Sequence, residues 1–131
     1  MEQAIEMFAA VNWLVTGLSH LLHPRAWVDF FVWLRGRGYA GVFVNGLLSL
    51  TFGSVVVAFH NVWSGLPMVL TIVGWMHVTK ALIALTMPNL GMRSLERVAP
   101  ERSKEFVGAG VMLLALSALM WYLVWARTTA S

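Results

Sequence analysis

The chain has 131 residues, of which 59% are hydrophobic and 11% charged, with a formal net charge of +3. A soluble domain carries about 25% charged residues, and a mean hydropathy of +0.73 leaves too few polar side chains to cover a water-facing surface. The absence of cysteine excludes disulfides, thiolate metal sites, cysteine nucleophiles and cysteine-ligated iron–sulfur clusters.

Four apolar stretches, near 4–23, 40–59, 66–87 and 105–126, reach the roughly 20 helical residues that cross a bilayer. The first lacks the basic start and small-residue cleavage site of a signal peptide, so it is read as a mature helix. The expected fold is all-α: a single transmembrane domain of four helices spanning residues 1–131.

The segment after the first span holds Arg25, Arg35 and Arg37, and the segment after the third holds Arg93, Arg97, Arg102 and Lys104. The other side has only Arg127. This bias places both longer connections in the cytoplasm and both termini outside, in the inner (plasma) membrane. It also explains the basic residues, with a pI near 10.0, through orientation and lipid headgroups rather than nucleic acid. Trp27 and Trp33 then lie at the inner interface, and Trp63, Trp121 and Trp125 near the outer one. Trp13 and Trp75 fall near mid-span, where a buried indole N–H wants a partner.

Each half of the chain reads as helix, proline, short interfacial segment, basic turn, helix. Pro24 and Pro88 supply the stops. Shared topology or an internal parallel repeat explains the likeness. The short connection "HNVWSGLP" (60–67) makes the second and third spans antiparallel neighbours. Gly46, Ser49 and Gly53 in the second span, with Gly108, Gly110, Ala115 and Ala118 in the fourth, permit close helix approach.

Polar residues sort by depth at about 1.5 Å per helical residue. Glu6, His60 and Asn61 lie at the outer ends of their spans and form a candidate outer polar layer. His60 and Asn61 also suit plain turn and cap roles. Asn12 and His77 lie near the membrane centre, Lys80 and Asn45 inward of it, and His20 lower still with His23 at the interface. Together they suggest a broken polar track. In "GWMHVTKAL", His77 and Lys80 are three residues apart and share a helix side. No acidic residue lies at their depth, so Lys80 either snorkels to the inner headgroups, donates to Asn45 and free carbonyls, or attracts an anion, a lipid phosphate or an acidic residue of another protein. A neutral His77 bonded to Asn12, Thr16 or a carbonyl is the simple alternative.

No two histidines on different spans share a depth, as a bis-histidine haem requires; no cofactor is expected, with haem through a single histidine or a methionine as the minor possibility. His20 and His23 lack a nearby carboxylate to complete a metal set, so no metal is expected. No G-x-S-x-G elbow, HExxH or phosphate-binding glycine loop is present, and no intramembrane carboxylate pair offers acid–base chemistry; the chain reads as a non-enzyme. The layout, with "FHNVW", "TIVGW" and Lys80, resembles small four-span bacterial inner-membrane proteins of DoxX-like size, a resemblance that implies no defined activity.

The leading expectation is an accessory or assembly subunit, partnered by membrane lipids and by other membrane-protein subunits or itself. A homo-oligomeric transporter or channel for an anion or protons, using His77 and Lys80, is the alternative. A haem- or lipid-binding protein is the third.

Overall fold

The computed structural model describes residues 1–131. Its helices are α1 (Glu2–Leu22), α2 (Pro24–Gly36), α3 (Tyr39–Phe59), α4 (Met68–Thr86), α5 (Pro88–Glu96) and α6 (Ser103–Ala130), with a 3₁₀ turn at Pro100–Arg102 before α6. There are no strands. Four of the helices, α1, α3, α4 and the one ending in α6, are long and apolar enough to cross a membrane. They fall within a few residues of the expected spans, except that α6 runs to Ala130. That extension carries Arg127 on the last helical turn. The two short segments after the prolines are the helices α2 and α5.

Proline lacks an N–H and forces the preceding residue out of helical geometry. The chain breaks in the same way at both sites. His23 has φ −133° and ψ 56°, and Met87 has φ −130° and ψ 67°. Each cap N–H still closes onto the carbonyl four residues back, His23 to Ser19 and Met87 to Ile83, both at 2.8 Å. Each proline then opens a new helix at its first position, where a missing N–H costs nothing. The turns that follow differ. Gly38, at φ 62°, leads into α3 through a left-handed conformation that glycine adopts without strain. The second half uses the 3₁₀ turn instead.

The long helices associate as two antiparallel pairs, α1 with α6 and α3 with α4. Within each pair the backbones touch. A Cβ on Gly53 would stand 2.8 Å from the Gly74 carbonyl oxygen, and one on Gly110 would stand 2.9 Å from the Gly17 oxygen. Ser117 Oγ donates to the Ala10 carbonyl at 2.7 Å across the α1–α6 seam. Small residues that admit close van der Waals contact are the usual means of helix association in lipid, where the surroundings are as apolar as the helix itself. Gly46 and Gly53 serve this role as expected. Gly108 does not, having open space beside it, and Ala115 and Ala118 face outward.

Between the pairs, large side chains fill the gap. Phe52 of α3 stacks on Phe8 of α1 at 5.7 Å and lies 5.8 Å from Trp13. Ile5, Ala9, Val56, Leu70 and Met120 complete this core. A second core, of Leu34, Val42, Ala84 and Leu95, closes the end that holds α2 and α5. The outward faces are strongly apolar, with Met76, Leu82, Met112 and Trp125 each more than half exposed. Four such helices with such faces suggest a multi-pass membrane protein.

Candidate functional site

At the end of the bundle where α1 begins and α6 finishes, four polar side chains from four elements meet. Glu6 lies one turn into α1, on the same side as Ala9, Ala10 and Trp13, so the apolar periodicity of that face carries the carboxylate inward. His60 caps α3, its N–H bonded to the Val56 carbonyl at 2.7 Å. Thr71 sits in the first turn of α4, and Arg127 in the last turn of α6. Glu6, His60 and Thr71 are completely buried.

Arg127 Nη2 lies 2.9 Å from Glu6 Oε1 and 3.7 Å from Glu2 Oε2. His60 Nε2–H donates to the same Glu6 Oε1 at 3.2 Å. On the other side of the ring, His60 Nδ1 is 3.2 Å from Thr71 Oγ1, which also accepts the Val62 backbone N–H at 2.9 Å. The set is complete for either charge state of the imidazole. When His60 is neutral, the threonine hydroxyl donates to Nδ1. When it is protonated, Nδ1–H donates to Thr71 Oγ1, and the hydroxyl turns to the His60 carbonyl at 3.4 Å. The second carboxylate oxygen, Glu6 Oε2, is buried without a partner.

The sequence of hydroxyl, imidazole and carboxylate follows that of a nucleophile relay. Here, however, the hydroxyl is fully buried and already accepts an N–H, so it has no open face for a substrate. The geometry instead ties α1 to α6 through Glu6 and Arg127, α3 to α4 through His60 and Thr71, and the two pairs together through Glu6 and His60. A buried charge of this kind stands only with a close counter-charge and hydrogen bonds, and Arg127 supplies the charge.

Glu6 and His60, expected in one polar layer with Asn61, are thus in contact, and His60 does more than cap a helix. Asn61 is outside it: exposed, its Oδ1 accepts from the indoles of Trp63 at 3.0 Å and Trp75 at 3.3 Å. Thr71 and Arg127 are the members that sequence reasoning missed. The central polar track is not assembled. Asn12 is exposed and donates to the Phe8 carbonyl of its own helix at 2.9 Å. His77 Nδ1–H donates to the Val73 carbonyl at 2.9 Å, and its ring meets Phe52 at 5.0 Å. The reason is local: an amide or imidazole in an apolar helix has its own i−4 carbonyl within reach. His20 does the same with the Thr16 carbonyl at 2.7 Å and stacks on Trp27 at 4.2 Å. Trp27 in turn donates to Ser19 Oγ at 2.9 Å. Of the mid-span tryptophans, Trp75 finds its partner in Asn61, whereas Trp13 makes no hydrogen bond.

Lys80 is exposed on the outward side of α4 and makes neither a hydrogen bond nor an ion pair. It stands between two clefts. One, about 490 Å³, runs along α4 past Trp63, Ile72, Trp75, Met76 and Ile83. The other, about 240 Å³, lies among α3, α4 and α5 and is lined by Asn45, Lys80, Ile83, Ala84, Leu90, Gly91 and Ser94. Asn45 and Lys80, separate in sequence, are therefore brought to one cleft.

Fold and cluster together define an all-helical protein with two close helix pairs, four helices able to cross a membrane, and an ionic junction at one end whose carboxylate is buried. No protein-family profile, curated protein or solved structure matches the chain.

Proposed function

We propose that the protein is a non-enzymatic, multi-pass subunit of the inner membrane, with both termini outside, that acts as an accessory or assembly component docking on other membrane helices. One observation carries this reading. The space between the helix pairs is filled by Trp13, Phe52, Leu70 and Met120, while the central Asn12 and His77 are spent on their own helices. A solid bundle with wide apolar faces has the surface of a docking component and no internal route for a solute. Extraction at native expression in a gentle detergent, followed by native mass measurement, tests it. Co-migration with unrelated membrane chains is the expected result, and recovery solely as a lone monomer overturns it.

The alternative, an oligomeric path for an anion or protons, is favoured by the outward position of Lys80, since any route using it would form between copies. Lys80→Met in liposomes should then abolish flux with assembly intact; unchanged flux removes that reading.

A further inference from the structure

The two clefts that meet at Lys80 differ in chemistry and share a wall. The smaller one presents the Lys80 ammonium, the Asn45 amide and the Ser94 hydroxyl, and no acidic side chain. None of these three groups makes a hydrogen bond elsewhere in the protein, although the other polar side chains of the long helices mostly bond their own carbonyls. One cation and two neutral donors with no acid form a receptor for an oxyanion. The larger cleft is apolar along its length. Lys80 and Ile83 line both, so the two clefts adjoin at these side chains.

A ligand that fits both must be anionic at one end and hydrocarbon at the other. From Ile72 to Ile83 the groove follows α4 for about 16 Å at 1.5 Å per residue, a length that an extended acyl chain can cover. A lysine six residues from the end of its helix has a stem long enough to reach toward that end while staying in the apolar wall. We infer that this surface is a binding site for an anionic phospholipid, with the phosphate among Lys80, Asn45 and Ser94 and one acyl chain along the Ile72–Ile83 groove.

A free phosphate offers the same chemistry to the smaller cleft but nothing to the groove, so the two are separable. The test uses the purified full chain in neutral detergent with phosphatidylglycerol, phosphatidylcholine or sodium phosphate. Native mass spectrometry reads retained lipid, and the thermal unfolding midpoint reads stabilisation. Phosphatidylglycerol should be retained at least tenfold better than phosphatidylcholine and should raise the midpoint. Lys80→Met should remove that preference, and Lys80→Arg should keep most of it. Trp75→Ala should weaken phosphatidylglycerol retention by shortening the groove wall. Equal retention of the two lipids by the wild type overturns the inference. So does a midpoint raised as far by sodium phosphate as by phosphatidylglycerol, with no gain from the lipid chain. If Lys80→Met does not fold, Asn45→Leu with Ser94→Ala takes its place, and unchanged lipid preference in that double variant is equally fatal. Because the readout is lipid on an isolated chain, it stands or falls apart from the docking experiment above.

Discussion

Glu6 has one close cation, Arg127, and one imidazole, His60, and all three meet at a single carboxylate oxygen. Removing Arg127 leaves the buried Glu6 carboxylate without its counter-charge; because the Arg127 side chain is 35% exposed, the cost falls short of the about 3–5 kcal/mol of a fully buried pair. Arg127→Met should therefore lower the unfolding midpoint, whereas Glu6→Gln combined with Arg127→Met should recover much of the loss. Equal destabilisation by the single and double variants, measured by thermal unfolding in detergent, would show that the charges are not coupled. Ser117→Ala should lose roughly 0.6 kcal/mol, the average for interhelical hydrogen bonds in membranes. Depth counting alone was enough to mark Glu6 and His60, because both lie at the same end of their spans. Arg127 was visible only as the sole basic residue on its side; a glutamate with no cation assigned to it was the signal that could have joined the two. Thr71 left no signal at all, since a hydroxyl in an apolar helix ordinarily bonds its own helix, as Thr51 and Thr86 do.

The helices themselves were legible because hydropathy and proline both act locally. A run of about 20 apolar residues marks a span, and Pro24 and Pro88 end helices whatever the tertiary structure. Which helix lies beside which was only half legible. The short 60–67 connection dictates the α3–α4 pair. The α1–α6 pair joins distant segments, with Ala10 and Ser117 separated by 107 positions, and no local pattern announces it. Gly108, Gly110, Ala115 and Ala118 looked equivalent in sequence, yet only Gly110 meets a neighbouring backbone. Gly110→Val should accordingly disrupt the bundle, while Gly108→Val, with open space around its Cβ, should leave the unfolding midpoint nearly unchanged. Similar losses from both would contradict the α1–α6 seam.

At the scale of the whole molecule, the contacts of Glu6 with His60 and Arg127 place the start of α1, the 60–67 connection and the end of α6 at one end. The absence of native cysteine makes this easy to probe. Gly65→Cys and Thr129→Cys should both react with a membrane-impermeant maleimide added to intact cells, and Arg102→Cys should react only after permeabilisation. The reverse pattern would invert the orientation derived from Arg and Lys placement while leaving the fold as described. Labelling of Gly65→Cys and Thr129→Cys from opposite sides would contradict the fold. That placement was readable from charge asymmetry. The meeting of the two clefts at Lys80 was not, because it depends on where α5 folds back, and a single proline fixes where a helix stops but not where the next one lies.

The pairing of α1 with α6 has a consequence for biosynthesis. The α3–α4 hairpin can close as soon as it emerges, since its two helices are joined by a short connection. If α1 enters a bilayer as its length and apolarity allow, Glu6 goes with it and has no arginine beside it until the final turn of the last helix has been made. Through most of translation the first helix thus carries an unneutralised carboxylate, or a protonated one, at the rim of the apolar layer. A ribosome that stalls before Arg127 releases a chain with all four spans present but its ionic junction open, and membrane quality control would meet it as a folded-looking protein with one exposed fault.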